Sequence, residues 1–73
     1  MVVQVYFRLP WRREERSVSL PASNACVADI LEPLMDERSK DSVFKVLNGR
    51  VCFDGDQVAD GDCLQVLPIM LGG

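Results

Sequence analysis

Val43-Phe44-Lys45-Val46-Leu47-Asn48-Gly49-Arg50-Val51-Cys52-Phe53 decides the fold. Two β-prone runs flank Asn-Gly, a pair whose residues both tolerate the positive φ of a two-residue type I′ turn, so the segment is expected to be a β-hairpin. In that register Val46 pairs with Val51 and Phe44 with Phe53. The four share one face, which is expected to be the core, with Lys45, Leu47, Arg50 and Cys52 on the other.

Towards the C-terminus, Asp54-Gly55 and Asp60-Gly61 are further turn signals. Cys63-Leu64-Gln65-Val66-Leu67 then alternates, with Leu64 and Val66 inward and Gln65 and Leu67 outward. Pro68 cannot donate to a ladder and is expected to end the strand. This divides the chain into a folded domain over 1–68 and a flexible tail over 69–73, Ile69-Met70-Leu71-Gly72-Gly73.

Towards the N-terminus, 36–41 is polar and loop-like. Before it, Val27, Ile30, Leu31, Leu34 and Met35 fall at helical spacing, with Ser23 or Asn24 as the expected cap. Pro33 is expected to end or kink that helix near Leu31 or Glu32. Val3, Val5, Phe7 and Leu9 alternate with Gln4, Tyr6 and Arg8, which predicts a half-buried first strand over 2–9. The run Trp11-Arg12-Arg13-Glu14-Glu15-Arg16 reads as a solvated hairpin tip, and Val18 and Leu20 as a short returning strand. The order is strand, strand, helix, strand, strand, strand. It predicts an α+β chain of the β-grasp (ubiquitin-like) class, a mixed sheet of four to five strands packed on one helix, with the first and last strands parallel at its centre.

Composition narrows the chemistry. A net charge of −3 over 73 residues argues against binding through phosphate neutralisation, so direct nucleic-acid contact is not expected. No stretch is apolar for the ~20 residues a membrane span needs, and the N-terminus does not resemble a signal peptide. Cys26, Cys52 and Cys63 are an odd number without a C-x-x-C pair, and there is no histidine. Neither a disulfide framework nor a zinc site is expected, and no base stands ready to activate a cysteine. Asp54, Asp56, Asp60 and Asp62 lack the oxygen ligand and glycine of an EF-hand where Val58 and Ala59 stand, and read as turn residues. The expected setting is the reducing cytoplasm, and the chain is not expected to be an enzyme.

The series Val46-Leu47-Asn48-Gly49, Asp60-Gly61-Asp62 leading into Cys63-Leu64-Gln65-Val66-Leu67-Pro68, and Gly72-Gly73 resembles the ubiquitin-like sulfur-carrier family. That family includes the small subunit of molybdopterin synthase, the thiamine thiazole carrier and tRNA-thiolation carriers. Leu47 and Leu71 depart from its pattern, and Leu71 is closer to ubiquitin-like modifiers. The resemblance implies that a partner enzyme uses ATP to adenylate the carboxylate of Gly73, with Gly72 as its companion. Sulfur then replaces AMP to give a thiocarboxylate, or a substrate lysine replaces it to give an isopeptide. The carrier itself binds no cofactor. Its partners would be the adenylating enzyme, a sulfur donor, and an acceptor enzyme or target protein. A β-grasp interaction module with an idle tail is the reading from another class.

The residues supply their own reason for the glycines, because backbone without Cβ threads a narrow cleft and flexes freely. Five residues beyond Pro68 reach ~17 Å when extended. On the outer sheet face Tyr6, Leu47 and Leu67 are expected to form a docking patch for the activating enzyme. Arg8 and Gln65 lie beside them, and Met70 and Leu71 lead into the glycines.

Overall fold

The computed structural model describes residues 1–21, 23–36 and 41–69. Strand β1, Val2–Leu9, buries Val3, Val5, Phe7 and Leu9 on one face, as its alternation predicts. Strand β2, Arg12–Ser19, pairs antiparallel with it from Leu9↔Arg12 to Val2↔Ser19, so only Pro10 and Trp11 form the turn. The charged run is therefore a strand and not a hairpin tip. It lies at the edge of the sheet, where exposed charge is compatible with pairing on one side. Arg12 closes the end of the core, with its guanidinium 3.8 Å from the centre of the Phe7 ring. Its Nη1 donates to the Leu34 carbonyl at 2.5 Å, and its Nε to Glu14 Oε1 at 2.6 Å.

Ala25–Cys26 forms β3, which pairs with β6 at Gln57–Val58, and the helix α1 spans Val27–Leu31. Neither Ser23 nor Asn24 caps it. The first-turn donors are taken by loop carbonyls instead, Val27 N–H by Asp56 at 2.9 Å and Ala28 N–H by Asp54 at 3.0 Å. Asp29 Oδ2 reaches back to accept the Cys26 backbone N–H at 3.0 Å, which holds its carboxyl below the ordinary range. The helix ends ahead of Pro33, and Leu34 and Met35 donate to the Leu31 carbonyl in a looser turn. The two-residue strands β3 and β6 were not legible as strands, since neither is long enough to alternate.

Strand β4, Val43–Leu47, turns through Asn48 (φ 51°) and Gly49 (φ 85°) into β5, Arg50–Cys52, with Val46 opposite Val51 as predicted. The face is the reverse of the expectation. Strand β7, Cys63–Pro68, pairs antiparallel with β4, which sets Lys45 opposite Val66 and Leu47 opposite Leu64. Directly opposed residues share a face, and Leu64 and Val66 are fully buried, so Val43, Lys45, Leu47 and Cys52 face inward. Phe44, Val46, Val51 and Phe53 lie outward, with Val51 62% and Phe53 73% exposed. Lys45 reconciles an inward position with its charge by running its stem along the core and pairing with Asp54 at 2.8 Å.

Pro68 is also inside the strand, opposite Val43, and Ile69 N–H donates to the Ser42 carbonyl at 3.0 Å. Strand donors alternate sides. Ile69 donates towards β4, so the donor that Pro68 lacks would point towards β1, whose register with β7 ends at Phe7↔Val66. Nothing is lost there.

The five-stranded sheet runs β2-β1-β7-β4-β5, with β1 and β7 parallel at its centre and the remaining pairs antiparallel. Val27, Ile30 and Leu31 of the helix join the buried face of the sheet in one core with Val3, Val5, Phe7, Leu64 and Val66. This is a β-grasp fold.

Candidate functional site

Strand β7 has two ends of opposite character. At its start, Asn48 Nδ2 donates to Asp62 Oδ1, Asn48 Oδ1 accepts the Cys63 N–H, and Asn48 N–H donates to the Cys63 carbonyl, each at 2.9 Å. Asp62 Oδ2 accepts the Ala59 N–H at 2.8 Å, and Asp60 Oδ1 accepts the Val2 N–H at 2.7 Å. Gly61 (φ 86°) occupies a left-handed position and donates to the Val2 carbonyl at 2.8 Å. The Asn-Gly and Asp-Gly-Asp segments thus lock the hairpin, the last strand and the first strand together. Asp56 Oδ2 takes the Phe53 N–H at 2.7 Å, and Asp54 is the partner of Lys45. The four turn aspartates are therefore engaged within the fold. Among the described residues, no group of three or more Cys, Asp or Glu stands close enough to hold a metal ion.

At the other end, β7 delivers the chain through Pro68 and Ile69. The parallel register brings the end of β1, and with it the Pro10–Trp11 turn, to the same side of the sheet. Met70, Leu71, Gly72 and Gly73 lie outside the described residues.

The outer face joins these ends. One row crosses all five strands: Glu15, Tyr6, Gln65, Val46 and Val51. Phe44 stands opposite Leu67 on the next row towards the exit, and Arg8 stands opposite Arg13. Of the residues expected here, Tyr6, Arg8, Gln65 and Leu67 are brought together. Leu47 is not, because it packs against the core on the inner side. Phe44, Val46 and Val51 take its place. The sequence signal that misled is Lys45: β4 has apolar residues on both faces, and its one charge points inward.

Of the cysteines, Cys52 changes sides. Cys52 is buried on the inner face, and burial pushes its thiol pKa up. Cys63 lies beside Tyr6 on the outer face, where its thiol and their hydrogen bond, aided by Glu15, hold the phenol above its ordinary range against the pull of Arg8. Cys26 is half-buried at the helix start, its Sγ 3.3 Å from Asp29 Oδ2.

No helix among the described residues is long and apolar enough to cross a membrane. No family model matches the chain, and no curated protein matches its sequence. Solved structures do match, over the whole length of both chains. SAMP1 from Haloferax volcanii is 21% identical with a TM-score of 0.79, covering 100% of each chain. The thiamine biosynthesis protein ThiS from Geobacter metallireducens is 28% identical with a TM-score of 0.69, again covering 100% of each. A chain of the complex of subunits 1 and 2 of the molybdopterin-converting factor from Helicobacter pylori is 24% identical, with a TM-score of 0.68 and 100% of each chain covered. The likeness shows a shared fold, and a thiamine biosynthesis protein and a molybdopterin-converting factor among these neighbours are in keeping with the resemblance read from the motifs.

Proposed function

We propose that this chain is a sulfur carrier whose working group is the Gly73 carboxylate. The observation that supports it is the whole-chain likeness to a thiamine biosynthesis protein and to a chain of the molybdopterin-converting factor complex, joined to the Gly72-Gly73 pair that follows the last strand. A carboxylate is a poor electrophile while its oxygen is a poor leaving group. The carboxylate oxygen attacks the α-phosphorus of ATP in a partner enzyme, pyrophosphate leaves, and an acyl adenylate forms. A hydrosulfide ion, sulfur at the sulfide level released by a donor, then bonds to the acyl carbon, the C–O bond breaks, AMP leaves, and loss of the sulfur's proton makes the terminus a thiocarboxylate. ATP belongs to the partner enzyme, and this chain supplies the acyl group and no catalytic residue.

Four residues follow Ile69, enough to span about 14 Å when extended, so the terminus can enter a cleft while the body stays outside. Glycine at the last two positions lets backbone approach a nucleotide without a Cβ. The body docks through the outer face, with Phe44, Val46, Val51 and Leu67 as the apolar centre and Tyr6, Arg8 and Gln65 beside them. Met70 and Leu71 continue this contact into the cleft. The molybdopterin-converting factor forms a complex between its two subunits, and an acceptor subunit of that kind is a further partner for the same surface. The compartment is the cytoplasm.

The test is the intact mass of the protein isolated from its host. Replacement of one oxygen by sulfur adds about 16 Da. Higher-mass conjugates to substrate lysines would make it a protein modifier instead, and an unchanged mass with no activation by the enzyme would leave a plain interaction module.

A further inference from the structure

The outer side of the β1–β2 hairpin carries a pairing that works against the fold. Arg8 and Arg13 are direct cross-strand partners on the exposed face, and like charges in that relation destabilise a sheet. Glu14 points to the inner side, where Arg12 at 2.6 Å and Arg16 at 3.7 Å claim it. Among the described residues, neither Arg8 nor Arg13 has a carboxylate within ion-pair distance. Arg8 lies 5.9 Å from the centre of the Tyr6 ring. Tyr6, Arg8, Arg13 and Glu15 border an open groove of about 410 Å³ along the two strands. Through Tyr6 this groove runs into the apolar outer face, and Trp11, 57% exposed, stands at the adjoining turn.

We infer that Arg8 and Arg13 form an anion clamp for a carboxylate of the protein that docks on the outer face, an acidic side chain flanking that partner's apolar patch. The inference rests on the docking proposed above and adds the chemistry of the partner. Two guanidinium forks side by side match the two oxygens of a carboxylate, and its negative charge removes the repulsion between them.

The charge distribution favours a protein carboxylate over nucleic acid. The hairpin holds four arginines and two glutamates, but the rest of the described chain holds eight carboxylates and two cations among its side chains. A long polyanion reaching the clamp would meet that acidic body, while a single acidic side chain would not.

Arg13→Glu tests the clamp because stability and binding should move apart. The substitution places an opposite charge across from Arg8, so the melting temperature should hold or rise by roughly 1–5 °C. Affinity for the adenylating enzyme should fall about tenfold or more, with a shallower dependence on salt, and Arg13→Lys should recover part of it. Four outcomes would overturn the inference. Arg13→Glu binding like the parent, while Leu67→Arg does not, removes the clamp and leaves the docking face standing. A parent that does not bind the enzyme removes both. A lowered melting temperature alongside the weaker binding makes Arg13 a structural residue. Retention of bulk tRNA by the parent, lost in Arg13→Glu, makes the pair a nucleic-acid contact.

Discussion

The two ends of β7 are built on different principles. At its start every chemically distinctive residue is consumed by the fold: Asn48, Asp60, Gly61 and Asp62 tie three strands together through side-chain and backbone hydrogen bonds. At its end the Ile69 N–H bonds to the Ser42 carbonyl, and the sequence beyond carries no ionisable side chain. The motifs that make the chain recognisable therefore maintain the scaffold. The proposed chemistry needs only a carboxylate, two small residues and a surface that presents them.

Removing Gly73 gives the largest separation between the ends. It moves the terminal carboxylate back by more than ~3 Å, and misplacement of a reacting group by about 1 Å already costs ~100-fold. ATP–pyrophosphate exchange with the activating enzyme should drop at least about 100-fold, with the melting temperature unchanged. Exchange at the parent's rate would remove Gly73 from the chemistry. Gly72→Ala should follow with a smaller loss.

The outer face comes next. Leu67→Arg removes an apolar contact of ~1.5–3 kcal/mol from the docked complex, so affinity should weaken by about one to two decades in a protein that still folds. The same change at Leu47 places a charge against the core and should show up in thermal unfolding first. Equal behaviour of the two variants would contradict the face assignment of β4.

Asn48→Ala probes the opposite end. It forfeits two side-chain hydrogen bonds and leaves a residue with a Cβ at φ 51°. The expected cost of about 1–2 kcal/mol lowers the melting temperature by roughly 5–15 °C. Exchange activity measured well below the transition should survive. A loss of exchange without a loss of stability would place this end in the working site.

The smallest effect is that of pH. Contact with Arg12 lowers the Glu14 pKa, and the Cys26 backbone N–H lowers that of Asp29. Both shifts are depressions. Their stabilisation is present above the unfolded values of about 4 and is lost as pH falls through the lower folded ones. Asp29→Asn should therefore lower the melting temperature slightly at neutral pH, converge on the parent in acid and so flatten the profile between, as scanning calorimetry across pH would show.

What was legible in the sequence follows from where alternation is one-sided. Val3, Val5, Phe7 and Leu9 alternate with polar residues, and Leu64 and Val66 with Cys63, Gln65 and Leu67, so the central parallel pair could be predicted. The Asn48-Gly49 turn fixed the hairpin register. Its face was not fixed, because Val43, Phe44, Val46 and Leu47 are apolar on both sides and the pairing with β7 decides between them. Arg12 to Arg16 read as a loop because an edge strand needs no apolar stripe of its own. Pro68 read as a terminator because the direction of its missing donor depends on where β1 leaves the ladder. For the candidate site, Tyr6, Gln65 and Leu67 were found from strand parity. Phe44, Val46 and Val51 were missed with the face of β4.

The parallel pairing at the centre of the sheet has a kinetic consequence. Residues 4–7 must meet residues 63–66 before the two hairpins share a sheet, so nearly the whole chain is closed as one loop, a slow and non-local step. A chain interrupted before Cys63 holds β1–β2 and β4–β5 as separate hairpins with no strand between them. The strand that completes the sheet is the one that leads directly into the tail. Folding therefore acts as a check on the integrity of β7, since the docking face comes into being only when that strand is in place to carry it.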